Sequence, residues 1–395
     1  MQITKDSVVL EIGTSKLVAV IGNVSDSGVY EIKAICKNEY AGFMGGEWLE
    51  EEKLGDQVFD VLQRTMERAG VKSIKKVFIG VPSEFSSVVV KEVTTQYSKM
   101  KNVTNNDVEA LFDKGDDFKD REYSTINRSP IYFKLNDGKR IVNPVGLETD
   151  RLTGMLSYVL CERTFVDRFQ KMLNGYGVKE VEFISESLAS VVGLFEPEQR
   201  DRYVVQLDVG YLTSSVALCR GDGLLHLASF SVGGANISAD ISDYLAISYE
   251  KANEIKESLD LNLSPTLNDF FKVQYKDQTY KVPYLDIYNL VYDRLDVIGS
   301  YLQKAIDVCE YDFPQYLPIY LIGGGITYLR GAKEYLSKIL DRPIEIITPN
   351  VPNYEKPEYS ALMGLLKVAS RANRSPWENL KNKLKGFLLN RRKNK

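Results

Sequence analysis

The sequence predicts an α/β protein built from two related lobes, and two observations carry that prediction. Val8–Ile21, VVLEIGTSKLVAVI, reads as an apolar strand ending in an acidic residue, a Gly-Thr-Ser-Lys turn and a second apolar strand. The pattern returns at Val204–Leu218, VVQLDVGYLTSSVAL, with Asp208 in the place of Glu11 and Gly210 in the place of Gly13. A lone glycine turn is usually plain hairpin chemistry. The duplication points further, because two such hairpins facing each other make a clamp for phosphate and metal. Convergent N–H groups of a turn form an anion nest, and a carboxylate at a strand end holds a hydrated Mg²⁺ beside it.

The 395 residues suffice for two to four domain-sized units, and 44% hydrophobic with 26% charged residues is ordinary for a soluble protein. Cys36, Cys161, Cys219 and Cys309 are scattered without a CxxC pair, which argues for a reduced cytosol and against a disulfide framework or structural zinc. No signal peptide is expected, and no run approaches the apolar length of a transmembrane helix. The single histidine, His226, reads as a structural side chain, and Ser/His/Asp catalysis would depend on it entirely. The net charge of -4 is unevenly spread: Arg371 to Lys395 holds nine Lys/Arg against Glu378 alone.

Along the chain, Val29–Ile35 reads as a strand, AGFMGGEW as a flexible loop, Leu49–Ala69 as a helix ended by Gly70, and Val77–Val81 as a buried strand. The texture changes from Ser83 to Glu162, read as an inserted small domain. It holds a strand Phe85–Val93, a helix capped by Thr104, a hairpin around Asn136, Asp137 and Gly138, and a strand Leu152–Cys161. Helices follow around Phe165–Leu173 and Ser187–Phe195. After the second hairpin, Gly233 and Gly234 turn into two helical segments, and Val273–Val282 alternates like a hairpin with Asp277 and Gln278 at its turn. The longest helix follows Pro283. A buried strand then runs into Gly323, Gly324 and Gly325 and a helix; backbone without side chains there admits a flat ligand such as adenine. A strand Ile344–Ile347 and a helix from Pro357 close the folded body.

Taken together, these segments resemble the actin-like ATPase superfamily, and within it the bacterial cell-division family FtsA. Glu11 to Lys16 matches the first phosphate motif, Asp208 to Thr213 the second, and Ile322 to Ala332 the adenosine motif; Ser185–Phe195 and Pro357–Leu366 look like the two connecting hinge helices. Asn143–Leu152 is close to the signature of the FtsA insertion. The resemblance implies an actin-like two-lobed fold of duplicated ribonuclease-H-like domains with a small α+β insertion. It implies ATP and Mg as cofactors, with nucleotide bound by Glu11, Gly13, Thr14, Ser15, Lys16, Asp208, Gly210, Thr213, Gly233, Gly234, Lys256, Gly323, Gly324 and Gly325, and Mg held through water by Glu11 and Asp208.

The chain departs from the family at Glu11, where Asp is usual, and at Tyr211 and Leu212, which replace two glycines. Side chains there crowd a loop that approaches phosphates by its backbone, which predicts ATP binding with weak or absent hydrolysis. No residue is singled out for positioning the attacking water.

The tail completes the reading. Ser375-Pro376-Trp377-Glu378 reads as a helix start. Trp377, Leu380, Leu384, Phe387 and Leu388 then fall within roughly a 100° arc flanked by Lys381, Lys383 and Lys385, the pattern of an interfacial membrane helix. FtsA ends similarly. The organisation expected is a first core subdomain at 1–82 plus 163–200, the insertion at 83–162, a second core subdomain at 201–232 plus 305–370, its small subdomain at 233–304, and a linker with membrane helix at 371–395.

The resemblance further implies an ATP-binding protein that polymerises with itself and tethers the FtsZ ring, through the FtsZ C-terminal peptide, to the cytoplasmic face of the membrane at the division site. Anionic membrane and other division proteins are expected partners, nucleic acid is not, and any enzyme activity is at most a weak ATPase. The alternatives are a sugar-type kinase of the superfamily, with Asp208 as general base, and a pilus-assembly relative.

Overall fold

The computed structural model describes residues 6–118, 122–266, 268–275 and 278–374. The opening hairpin is strand β1 (Ser7–Ile12) paired antiparallel with β2 (Lys16–Val24), which pairs in turn with β3 (Tyr30–Glu39). β1 is buried along its whole length, Ser7 and Glu11 included, because both faces of the sheet are covered. The loop AGFMGGEW is not merely flexible: it holds the small hairpin β4 (Phe43–Met44) and β5 (Glu47–Trp48), with Phe43 buried against Trp48 and Phe85. Helix α1 (Glu51–Ala69) buries Leu54, Val58, Val61 and Leu62 and ends on Gly70 in the left-handed region. Strand β6 (Lys76–Val81) lies parallel to β1.

The inserted segment forms its own sheet from β7 (Ser86–Asn102), β8 (Tyr123–Lys134), β9 (Arg140–Ile141) and β10 (Glu148–Glu162), in the order β7-β10-β8-β9. Helix α2 (Asn105–Gly115) covers one face, capped by Thr104 in a reciprocal box with Asp107. Helix α3 (Arg163–Gly175) then leads to β11 (Glu180–Ser185), a strand the sequence reading missed, and to α4 (Glu186–Leu194), short α5 (Pro197–Arg200) and the second hairpin.

That hairpin is β12 (Val204–Val209) with β13 (Ser214–Arg220), followed by β14 (Gly223–Phe230), helices α6 (Gly234–Leu245) and α7 (Tyr249–Ser258), the ribbon β15 (Phe270–Tyr275) and β16 (Gln278–Pro283), and α8 (Tyr284–Asp307). Tyr275 pairs with Gln278, so Gln278 belongs to the strand and not to the turn. β17 (Ile319–Ile322), α9 (Ala332–Leu340), β18 (Ile344–Ile346) and α10 (Ser360–Ala372) complete the described fold. Residues 326–331 separate the glycine triplet from α9, so the helix begins later than the sequence suggested.

The two main sheets repeat one topology. The first runs β11-β6-β1-β2-β3 and the second β18-β17-β12-β13-β14, each an antiparallel three-strand meander extended by parallel strands. The duplication read in the hairpins therefore extends to whole lobes. α10, expected with the second lobe, instead packs on the first sheet, where Leu362, Met363, Leu365 and Leu366 join Val9, Val18 and Val20 in one core. It crosses α4 at paired glycines: a Cβ on Gly364 would stand 2.1 Å from the Ala189 carbonyl oxygen. Among the described residues no helix is long and apolar enough to cross a membrane. The expected membrane residues Trp377, Leu380, Lys381, Lys383, Leu384, Lys385, Phe387 and Leu388 lie outside the described residues.

Candidate functional site

β1 and β12 end at facing turns, and the space between the lobes is a cleft of about 320 Å³. The first turn closes with Gly13 N–H donating to the Lys16 carbonyl at 3.0 Å, the second with Gly210 N–H donating to the Thr213 carbonyl at 2.9 Å. The loops touch directly, Leu212 N–H donating to the Thr14 hydroxyl at 3.1 Å. Gly13, Thr14, Ser15, Lys16, Gly210 and Thr213 all line the cleft, as do Lys256, Gly234 and the triplet Gly323 to Gly325. Gly233 does not; it is packed behind the second loop, where a Cβ would meet the Tyr211 carbonyl oxygen at 2.4 Å.

The triplet works differently from a simple ligand shelf. Gly325 N–H donates to the Val209 carbonyl, and Gly234 and Ala235 N–H groups donate to the Gly210 and Tyr211 carbonyls. A Cβ on Gly325 would stand 2.2 Å from the Gly210 carbonyl oxygen. These glycines therefore let three backbone segments converge, which fixes the second loop against the triplet and the start of α6. Gly42, in the supposedly flexible loop, is likewise set against the first loop, its φ of 76° bringing it under the Thr14 carbonyl.

Three carboxyl groups meet at the cleft floor. Burial pushes Glu11 up to about 7, with nearby Asp208 and Glu358 raising it further and Lys16 opposing. Burial pushes Asp208 up to about 6 against the same lysine. Glu186, at the first position of α4, is held well above the usual carboxylate range by burial and then by Glu11, while its Oε1 accepts Ile12 N–H at 3.3 Å. Sequence reasoning placed Glu11 and Asp208 but missed Glu186, which follows the Ser185 cap of a helix assigned only to a hinge.

Lys256 is buried, donates to the Gly234 carbonyl at 3.2 Å and is pushed down to about 8 by burial. Tyr211 leans on Tyr249 with ring centroids 6.1 Å apart, and both line the cleft. Among the described residues no group of three or more His, Cys, Asp or Glu side chains is arranged to ligate a metal directly. Glu11 is buried and Asp208 and Glu186 half-buried, and the charge of a hydrated cation beside them would offset the cost of ionising all three. His226 Nε2–H donates to the Ala305 carbonyl at 3.0 Å, away from the cleft, as a structural side chain.

Duplicated lobes, facing turns and a glycine triplet between them define the fold of the actin-like ATPases. A chain of the PilM-PilN type IV pilus biogenesis complex superposes with a TM-score of 0.62 at 18% identity, covering 93% of this chain and 99% of that one. MreB5 of Spiroplasma citri bound to AMPPNP superposes with 0.56 at 13% identity, covering 97% and 100%. The family model for Cell division protein FtsA matches residues 205–364. Cell division protein FtsA of Pseudomonas aeruginosa is 21% identical over 375 residues, 90% of this chain and 87% of the relative. These matches support an FtsA-type actin-like protein.

Proposed function

We propose that the chain is an ATP-binding, actin-like cell-division protein that polymerises and tethers the FtsZ ring to the cytoplasmic face of the membrane at the division site. The observation that carries the nucleotide half is the meeting of the two duplicated turns, Thr14 against Leu212, over a glycine-walled cleft. Polyphosphate would lie between the turns, with Lys16 and Lys256 supplying positive charge and Glu11 and Asp208 holding a hydrated Mg²⁺. A bound Mg²⁺ supplies charge neutralisation there. MreB5 of Spiroplasma citri, solved with AMPPNP, has the same fold, which supports nucleotide binding.

Hydrolysis is weak or absent on this reading. Tyr211 and Leu212 put side chains on a loop that should approach the phosphates by its backbone, and so crowd the reacting phosphate. The FtsZ C-terminal peptide docks on the subdomain 233–304, and the tail from Trp377 to Leu388 holds the membrane. Relatives named Cell division protein FtsA, matched over 90% of this chain, support a role in division.

Calorimetry of the full chain with ATP and Mg²⁺ tests the nucleotide half. Binding heat without brisk phosphate release is expected. The absence of any affinity overturns ATP binding, and rapid phosphate release overturns weak hydrolysis. Phosphate transfer to a sugar or polyol in a coupled assay would transfer the case to the kinase alternative.

A further inference from the structure

The insertion is attached to more than the lobe that carries it. Its Val159, with Val88 and Ile126 beside it, shares one core with Leu188 and Val191 of α4, with Phe195 just past its end, and with Val204, Ala217 and Leu224 of the second sheet. Ser157 of β10 donates its hydroxyl to the Leu224 carbonyl at 2.6 Å. It therefore cannot slide without displacing the helix that opens onto the cleft.

Within that contact one polar side chain reaches across. The β8–β10 register passes from Asn127↔Val159 to Thr125↔Leu160, so Ile126 is an extra residue, a β-bulge. Bulges re-aim the side chains beside them. Here the Asn127 side-chain oxygen accepts the Ser185 N–H at 2.8 Å. Ser185 is 1% exposed and caps α4, its hydroxyl accepting Leu188 N–H at 3.3 Å. The next residue, Glu186, holds Ile12 N–H at the mouth of the first phosphate turn. Four named groups thus connect an insertion strand to the loop that faces the second hairpin.

We propose that Asn127 is a positioning residue of the nucleotide site, through which the insertion sets nucleotide affinity. The proposal rests on the nucleotide reading above. Without the Asn127 oxygen the buried Ser185 N–H lacks an acceptor, the α4 N-terminus shifts to find one, and Glu186 loses its place against Ile12. The coupling is reciprocal, so nucleotide in the cleft stiffens the junction with the insertion.

The test uses the full-length chain, N-methylanthraniloyl-ATP with Mg²⁺ as probe, and hydrogen exchange at the Ile12 amide. Asn127→Ala is expected to weaken binding on the order of tenfold and to speed Ile12 exchange. Asn127→Asp, which keeps an acceptor oxygen, restores both. Thr94→Ala breaks a hydrogen bond to Thr153 inside the same subdomain and leaves both unchanged. Should Asn127→Ala fail to fold, Asn127→Gln, which displaces the oxygen by one methylene, shows the same loss. Wild-type binding with unaltered affinity in the folded Asn127 variant overturns the proposal, as does an equal loss in Thr94→Ala. A wild-type chain that binds no probe at all overturns the nucleotide reading instead.

Discussion

Leu212 N–H donates to the Thr14 hydroxyl at 3.1 Å, joining turns that lie 198 residues apart in sequence. On the nucleotide reading the bond sits where a polyphosphate would enter, and the ligand would replace it. Thr14→Val keeps the volume and removes the acceptor, leaving a part-buried N–H unsatisfied at a cost of about 1–3 kcal/mol without ligand. A phosphate oxygen would supply the missing acceptor if nucleotide binds there. The expected result is a lowered Tm for free Thr14→Val and a larger rise on adding Mg²⁺ and ATP than wild type shows. Equal rises in the two proteins would refute the exchange of partners.

The floor of the cleft gives a pH dependence of definite sign. Glu11 and Asp208 hold their protons more tightly folded than unfolded, at about 7 and about 6 against ordinary values of 4.5 and 3.8. Such groups cost nothing below the unfolded pKa, and the penalty grows until pH passes the folded one. The ligand-free chain should therefore lose stability, on the order of a few kcal/mol, as pH rises from 4 to 7. Glu11→Gln removes much of that slope and raises Tm at pH 8. Thermal melts of both proteins across this range, in chelator, decide the matter; parallel profiles would defeat it.

The hinge depends on absent side chains. Gly193 and Gly364 let α4 and α10 cross in backbone contact: a Cβ on Gly193 would stand 2.7 Å from the Gly364 Cα. Gly364→Ala must push the helices apart and open voids in the core around Leu362 and Leu366. A loss of roughly 1–3 kcal/mol is expected. Gly175→Ala, where an added Cβ meets nothing within 4 Å, serves as the comparison and should be neutral or slightly stabilising. Similar melting temperatures for the two variants would show that the crossing is looser than its geometry requires.

The sequence made the hairpins, the duplication and most of the cleft legible because these depend on local signals. Apolar runs, carboxylates at strand ends and glycine turns keep their meaning whatever surrounds them. What it concealed depends on distant partners. Glu186 looked like the start of a hinge helix, since nothing local says that α4 opens toward Ile12. Gly42 and Phe43 looked like free loop, because their burial comes from Thr14 and Phe85. α10 was assigned by chain order to the wrong lobe, and its place is set by apolar contacts with β1 and β2, more than 300 residues earlier.

The tail carries the last prediction. Arg374, the final described residue, donates to the Val24 carbonyl and pairs with Asp26, so the chain beyond it leaves from the β2–β3 turn of the first lobe. In the sequence beyond Arg374, helical spacing would put Trp377, Leu380, Leu384, Phe387 and Leu388 on one side of a basic segment. Each Lys or Arg near an anionic leaflet contributes about 1 kcal/mol, and burial of the apolar side adds several more. Ordering some fifteen residues that are marginal as a helix in water offsets part of this. On the membrane reading one tail would bind reversibly, and a polymer would hold many tails at high effective concentration. Trp377→Glu combined with Leu384→Glu should abolish co-sedimentation with anionic liposomes while leaving ATP affinity intact. Wild-type sedimentation should fall with added salt, as an electrostatic contribution requires. If the double variant sediments like wild type, the tail does not hold the membrane.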